Sequence, residues 1–400
     1  MIIISSERIP IFIWSEERIE NAIEDAMRLV SLPFIFKQLC LMADYHKGYA
    51  LPIGGVMACN RVVMPYAVGY DISCGMLAFQ TNLTVNDLND KTIRIAIENE
   101  IRDRIPMGRN HHKNSRDWTE FETAPLSIPV IKREFESAHY QLGTLGGGNH
   151  FIEIQADTSD NVWVMIHSGS RNFGWKICNE YHKIAKELCT KWLSKLPSDD
   201  AAFLPIETRE AKEYIEAMNY AMRFAAQSRF VMSKIIESVL INVFGGIKIV
   251  KFGEQIHINH NYARWESHFG KDVLVHRKGA TSARDGEFGI IPGSQGSNSY
   301  IVKGKGNQKS FQSCSHGAGR RMSRTDAKKN LNLEEQINLL NNKGIHHSLT
   351  CIKDLEEAEG AYKDIDVVMK NQEDLVDIVV KLRPLIAIKE LSEEKEIKNE

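Results

Sequence analysis

Six separated segments of this chain set a histidine, a cysteine or an acid inside a glycine-rich or amide-rich stretch. They read DYHKGYALPIGGV from Asp44, VGYDISCGM from Val68, LGGGNHFIE from Leu145, HSGSRNFG from His167, NHNYA from Asn259 and SCSHGAGR from Ser313. Thiolate and imidazole suit soft and borderline metal ions, and backbone N–H groups exposed by glycine suit phosphate oxygens. A site that offers both points to metal-assisted chemistry on a phosphate.

Asp71 and Cys74 are three residues apart, between Gly69 and Gly75, so a carboxylate and a thiol can reach one ion or two adjacent ions. A buried cysteine beside a turn is the plain alternative. Asn149 and His150 follow Gly146, Gly147 and Gly148, where backbone can approach a ligand closely. The Asn149 amide can bond a phosphate oxygen and His150 can bind metal, although a simple turn into the strand FIEI would need the same glycines. His167 ends the apolar run VWVMI and opens SGSRN, in which Arg171 offers a charge-assisted fork to phosphate. His260 stands at a strand end, while His257 shares a strand face with Asn259 instead. PGSQGSNSY from Pro292 and SHGAGR from Ser315 are phosphate-cradling by composition. His316 has small neighbours, so its imidazole is reachable; it reads either as a nucleophile toward phosphorus or as a further metal ligand. His111 and His112, near Arg109, Lys113 and Arg116, read as a solvated loop or as a contact to nucleic-acid phosphates.

These residues need elements that bring them together. MIIISSERIPIFIW reads as a strand pair rather than a signal peptide. Residues 15–31 predict an amphipathic helix with Ser15 as N-cap. Residues 33–80 predict strands and glycine turns, 85–105 a helix, 144–155 a glycine loop entering a strand, and 162–166 a strand. Two longer helices are predicted at about 174–195 and 206–243, with the polar loop SKLPSDDAAFLP between them. Strands and turns return from 248 to about 313. Helices at 334–342 and about 369–381, a last strand LRPLIAIK and a charged, fraying tail at 391–400 complete the reading. The motifs run from residue 44 to residue 320, so a domain boundary among them would split the site. The expectation is one α+β domain over residues 1–390, with residues 174–243 as a helical satellite.

Composition agrees with a globular protein. The chain has 400 residues, 43% of them apolar and 26% charged, and its formal net charge of −2 is not that of a nucleic-acid coat protein. No stretch approaches the roughly 18 apolar residues of a membrane span. Seven cysteines at irregular spacing argue against a disulfide framework and for a reducing compartment, so the cytoplasm is expected. Cys40, Cys59, Cys178, Cys189 and Cys351 read as small buried hydrophobes.

GYDISCGM, LGGGNHFIEI, HSGSRNFG, HRKGAT, GIIPGSQGSNSYIVKG and SHGAGRRMSR, in this order, closely resemble the RtcB family of RNA-splicing and repair ligases, from about residue 42 to residue 389. The resemblance implies an α+β catalytic fold with mixed sheets around a dinuclear metal site. It implies joining of RNA 2′,3′-cyclic phosphate or 3′-phosphate ends to 5′-hydroxyl ends, with GTP and two manganese ions. Asp71, Cys74 and His150 match the ligands of one manganese, and Cys74, His167 and His260 those of the other. His316 matches the histidine that carries GMP. Asn149, His150, Phe151, Ile152, Glu153, His260, Asn261, Pro292, Gly293, Ser294, Gln295, Ser299, His316, Gly317, Ala318, Gly319 and Lys389 match guanylate-site positions, with Lys389 at the guanine ring. Asp44 and His46 are candidates for work on the cyclic-phosphate end. RNA and GTP are the implied partners, with an activating protein allowed and no membrane. Three features depart from the family pattern: MADYHKGYALP lacks a proline before the aspartate, Gln295 stands where methionine is common, and Glu390 with a charged tail follows Lys389. Two other readings use many of the same residues. They are a dinuclear phosphoesterase that opens cyclic phosphates without ligating, and a non-catalytic RNA-binding paralogue, which would have no need of Cys74.

Overall fold

The computed structural model describes residues 1–5 and 8–391, so most of the expected charged tail lies outside the described residues. Two mixed sheets with flanking helices form the frame. The first runs in the order Ile2–Ile4, Ile11–Ile13, Ile35–His46, Ile53–Cys59, Lys271–Lys278, Asn261–His268. Its pairs are antiparallel except Ile11–Ile13 with Ile35–His46. The second runs Ile256–Asn259, Gly75–Thr84, Asn161–Ser168, Phe151–Asp157, Val376–Ile388, Ser299–Gly304, Phe288–Ile291. The short strand His346–His347 lies parallel against Val376–Ile388.

The strand period of two explains how both sheets are buried on both faces. Leu77, Phe79, Ile152, Ile154, Val164 and Ile166 pack under Ile235, Ile236 and Val239 of the helix Arg209–Val243 and under Ile97 and Ile101 of the helix Lys91–Arg104. Their neighbours Met76, Ala78, Phe151 and Met165 point the other way, toward Ile290 and Ile301. In the first sheet Leu39, Leu41, Met57 and Cys59 join the buried face of the helix Glu20–Val30, while Cys40, Met42, Val56 and Ala58 build the opposite core.

The N-terminal strand pair forms as expected. The first helix begins later than predicted: its N-cap is Ile19, and Ser15 instead accepts the Glu17 N–H at 3.2 Å in a local turn. The predicted helix at 85–105 is broken. A 3-10 turn, Val85–Leu88, is followed by Lys91–Arg104, because Asp90 accepts the Thr92 N–H at 2.8 Å and starts a new helix. The helix Pro129–Gln141 was not anticipated; Val130, Ile131 and Ala138 bury its apolar side. The helix predicted at 369–381 is incorrect. A short helix, Ile365–Lys370, ends early, and Val376–Ile388 is a strand with partners on both sides. The β-branched run VDIVV favours the pleated surface, and Pro384 is tolerated at a register shift.

All seven cysteines are buried. Among the described residues no helix is long and apolar enough to cross a membrane. The feature that matters most for the site is at His260. The chain leaves the second sheet at Asn259 and enters the first at Asn261, so this histidine marks the junction of the two sheets.

Candidate active site and metal centre

Antiparallel pairing gathers the candidate donors at one end of the second sheet. Gly75 stands opposite both Ser168 and Asn259, and Phe151 stands opposite His167. Cys74 and His150 immediately precede their strands, His167 is near the end of its own, and His260 follows its own. Four neighbouring strands thus deliver one donor each to the same place. Cys74, His167 and His260 form one cluster and Asp71, Cys74 and His150 another, with the donor atoms of each within 4.8 Å of one another. Cys74 Sγ lies 3.1 Å from His167 Nε2 and 3.4 Å from His150 Nε2. His150 Nε2 is 3.0 Å from Asp71 Oδ2, and His167 Nε2 is 3.3 Å from His260 Nε2.

The surroundings fix these groups in metal-ready states. The carbonyl of Asn149 can only accept, so His167 Nδ1 donates to it at 3.1 Å and the lone pair sits on Nε2. Burial holds His167 and His260 well below the ordinary imidazole range, with neighbouring histidines adding to the effect. Burial, and then Asp71, push the Cys74 thiol well above its ordinary value. Burial would raise Asp71 as well, but the His150 hydrogen bond and charge prevail and hold its carboxyl low. A divalent ion would reverse the balance at Cys74 and bind it as thiolate.

The donor set fits a dinuclear ion pair. Thiolate, imidazole and carboxylate donors that converge within 4.8 Å of one another suit borderline divalent ions. Cys74 belongs to both clusters and would bridge. Among the described residues the Nδ1 atoms of His150 and His260 are buried without a hydrogen-bond partner.

Behind this cluster lies a residue that sequence reasoning missed. Arg229, from the middle of the helix Arg209–Val243, is fully buried. Its guanidinium donates to the carbonyls of Ser73 at 3.1 Å and Ser168 at 2.8 Å and to Asn259 Oδ1 at 2.7 Å. One side chain therefore ties together three segments that end in metal donors. Burial lowers it to about 10. The stretch expected to form an outer helical layer thus reaches the site, and only its amphipathic pattern was visible in the sequence. Arg171, proposed for phosphate, spends donors on Thr144 Oγ1 at 3.0 Å and the Gly108 carbonyl at 2.7 Å, so it braces the glycine loop. Gly146 has φ +94°, and a Cβ there would meet Arg171 Nη1 at 2.0 Å and His150 Nδ1 at 2.4 Å.

His316 sits beside the metal donors, its ring centroid 4.8 Å from that of His260. Its partner is Asp44, which is fully buried at the end of Ile35–His46. Asp44 Oδ2 accepts from His316 Nδ1 at 2.6 Å, from His316 N at 3.1 Å and from Gly317 N at 3.2 Å. With its proton on Nδ1, His316 carries its lone pair on Nε2. Burial raises Asp44, but the adjacent His316 outweighs this and keeps the carboxyl below its usual range. Gly319, at φ +73°, lies so close to the Asp44 carbonyl that a Cβ would meet it at 2.1 Å. His46 Nδ1 donates to the Asp44 carbonyl at 3.2 Å, and burial takes this imidazole down to about 4, so it is neutral.

A cavity of about 410 Å³ opens over this arrangement. His46, Asp71, Cys74, His167, His260 and His316 line it, as do Asn149, Phe151, Glu153, Asn261, Pro292, Gly293, Ser294, Gln295, Gly317, Ala318, Gly319 and Lys389. Asp44, His150, Ile152 and Ser299 lie behind that lining. Ile152 points into the core beneath the helices, because strand alternation sends only Phe151 and Glu153 toward the cavity. Ser299 Oγ accepts from Gly293 N at 3.2 Å and from Gln155 Nε2 at 3.0 Å, and so shapes the loop after Pro292. Asn261 has both ends of its amide committed, to the Asp71 carbonyl at 2.9 Å and to Gly279 N at 2.8 Å. Lys389 Nζ donates to the His150 carbonyl at 3.1 Å, 5.7 Å from the centre of the Phe151 ring. Burial raises the nearby Glu153 carboxyl to about 7, against the opposing pull of Gln155 and Lys389. His257 is exposed and bonds Gln255 Oε1 at 3.2 Å, away from the donors.

Lys278, Arg320, Arg324, Glu357 and Tyr362 also line the cavity and were not singled out from the sequence. HRKGAT and GAGRR carry the first two; Glu357 and Tyr362 lie in no motif. Arg320 donates to Glu357 and to the Tyr362 hydroxyl, each at 3.3 Å, while its Nη2 is buried without a partner among the described residues. The cavity therefore offers cationic groups, glycine backbone and two clusters of metal donors around one oriented imidazole. That combination suits a nucleotide or nucleic-acid phosphate.

The comparisons agree with this site. A family model described as tRNA-splicing ligase RtcB matches residues 25–390. The chain is 39% identical to RNA-splicing ligase RtcB of Escherichia coli K12, over 97% of this chain and 99% of that protein. It is 32% identical to tRNA-splicing ligase RtcB of Nanoarchaeum equitans, over 95% of each chain. It is 30% identical to tRNA-splicing ligase RtcB of Thermococcus kodakarensis, over 92% of this chain and 90% of that one. With most of its length matched and its donor clusters assembled at the junction of two sheets, this chain belongs to the RtcB family.

Proposed function

We propose that this protein is an RNA ligase that joins 2′,3′-cyclic phosphate or 3′-phosphate ends to 5′-hydroxyl ends, using GTP and two manganese ions, through a guanylate carried on His316. The observation that carries this reading is the Asp44–His316 pair beside the two donor clusters in one cavity. Guanylate transfer requires a nucleophilic imidazole, whereas hydrolysis by a metal-activated water does not. The names of the relatives, RNA-splicing and tRNA-splicing ligases, support the same substrate class.

Asp71, Cys74 and His150 would hold one ion, and Cys74, His167 and His260 the other. Bound divalent ions would neutralise phosphate charge and spread the charge that develops in phosphoryl transfer. His316 Nε2 attacks the α-phosphorus of GTP, the bond to the β-phosphate oxygen breaks, and pyrophosphate leaves. Asp44 stabilises the imidazolium through the Nδ1–H it already holds. The RNA 3′-phosphate then takes the guanylate from His316, which regains its neutral imidazole. The 5′-hydroxyl attacks the activated 3′-phosphorus, and GMP departs. A cyclic end is hydrolysed beforehand: water adds to phosphorus, the bond to O2′ breaks, and a 3′-phosphate with a free 2′-hydroxyl results. Lys389 and Glu153, which line the cavity, would recognise a guanine edge, and Arg320 Nη2, without a partner among the described residues, would serve a phosphate. Seven buried cysteines at irregular spacing suit a reducing cytoplasm.

The test is a ligation assay with two RNA strands, one ending in a 3′-phosphate and one beginning with a 5′-hydroxyl, in GTP and manganese. A joined product that requires GTP supports the ligase. Opening of a cyclic phosphate with no joining under any nucleotide would favour the phosphoesterase.

A further inference from the structure

One rim of the cavity is aromatic, and the chemistry above does not use it. Tyr49 is 60% exposed and borders the cavity together with Tyr70. Their ring centroids are 5.7 Å apart, edge-on at 82°. Tyr70 packs 4.8 Å from Tyr66, which lies flat on His182 at 3.3 Å. The Tyr66 hydroxyl donates to Asn179 Oδ1 at 3.2 Å. The helix Arg171–Lys191 thus anchors a row of rings that ends in solvent at Tyr49.

Lys278 braces this row. It is buried, and its Nζ donates to the backbone carbonyls of Tyr49 and of Tyr66, the latter at 3.0 Å. Among the described residues no carboxylate forms an ion pair with it, and an ammonium has a third N–H beyond these two bonds. Lys47 is exposed on the same rim. Tyr70 is followed directly by Asp71, so the row stands next to the metal donors.

We propose that Tyr49, supported edge-on by Tyr70, is a stacking platform for the terminal base of a single-stranded RNA end that carries the 3′-phosphate, with Lys47 and Lys278 beside that phosphate. This rests on the ligase reading above. Every base has an aromatic face, so an exposed ring beside cations accepts single strands without regard to sequence. A packing role would account for Tyr66 and Tyr70 but not for a tyrosine so exposed as Tyr49. A terminal phosphomonoester carries about −1.5 to −2 charges, whereas a 5′-hydroxyl carries none and gains nothing from the two ammonium groups. The guanine of GTP is the competing occupant, and its use can be read separately.

The experiment measures binding of a short fluorescent RNA with a 3′-phosphate, in manganese without GTP. The proteins are wild type, Tyr49→Ala and Tyr49→Phe. A second RNA lacks only its 3′-terminal base. Transfer of guanylate from GTP to the protein is followed in parallel. Tyr49→Ala should weaken binding of the full RNA on the order of tenfold, Tyr49→Phe should stay near wild type, and guanylate transfer should be unchanged. Removal of the terminal base should weaken wild-type binding by the same factor and change Tyr49→Ala binding little. Equal losses for both RNAs, or impaired GTP use with intact RNA binding, would overturn the platform while leaving the ligase reading standing. Absence of any RNA binding by the wild type would overturn both.

Discussion

Asp44→Asn isolates the positioning of His316 from metal binding. Asp44 Oδ2 accepts three N–H groups, the shortest bond being 2.6 Å from His316 Nδ1, and the carboxyl is fully buried. Charge-assisted bonds contribute about 1.5–3 kcal/mol, against about 0.5–1.5 kcal/mol for neutral ones. Loss of the charge therefore removes about 1–2 kcal/mol from the imidazolium that forms on attack, which is roughly 5- to 30-fold in rate. A larger loss follows if the new amide turns its NH₂ toward the ring. His316 Nδ1 would then accept, the proton would move to Nε2, and the attacking lone pair would be lost, at up to about 10⁴-fold. The assay is single-turnover formation of protein-bound guanylate, with bound metal measured on the same sample. Asp44 belongs to neither donor cluster, so metal content should hold. Wild-type guanylation by Asp44→Asn would refute the idea that Asp44 orients the nucleophile.

Cys74→Ala should reduce bound metal in both positions, because this sulfur belongs to both clusters; retention of two ions per chain would contradict the bridge. Metal affinity should also fall as pH falls, since the Cys74 thiol is held high by burial and Asp71 and must lose its proton on binding. Glu153 is raised to about 7, so recognition of guanine by its carboxylate should strengthen as pH rises through 7, and Glu153→Gln should abolish that dependence of GTP binding. An unchanged pH profile in Glu153→Gln would remove this residue from the guanine site. Glu266 is buried against Arg277 and depressed from 4.5 to about 2. That shift contributes on the order of 3 kcal/mol of stability, present above pH 4.5 and lost as pH falls toward 2. Urea unfolding across this range should show the loss in wild type and a flatter profile in Glu266→Gln, and identical slopes would contradict the assignment.

The clustered candidate donors were legible because each stands in a glycine or amide segment, and a thiol, imidazoles and a carboxylate together have few structural uses. Their grouping was not visible in spacing. It comes from strand register, with Gly75 opposite Ser168 and Asn259. Asp44 and His316 are 272 residues apart, and no local pattern in the sequence shows that they pair. Arg229 looked like one polar position on a long amphipathic helix. Only the packing of that helix against the second sheet turns it into the brace behind Cys74. Residues 369–381 failed as a helix because tertiary pairing on both sides of Val376–Ile388 suits its β-branched run, and a single sequence does not show those partners. Ile152 was grouped with its neighbours along the strand, yet alternation buries it on the far face.

The central claim is that His316 is the nucleophile toward GTP. The most direct measurement is incubation with manganese and α-labelled GTP, followed by denaturing electrophoresis and acid treatment. Label should stay on the denatured protein, be released by acid as from a phosphoramidate, and be absent from His316→Ala while that variant keeps its metal. Label on His316→Ala at the wild-type level, or none on wild type with metal bound, would contradict it.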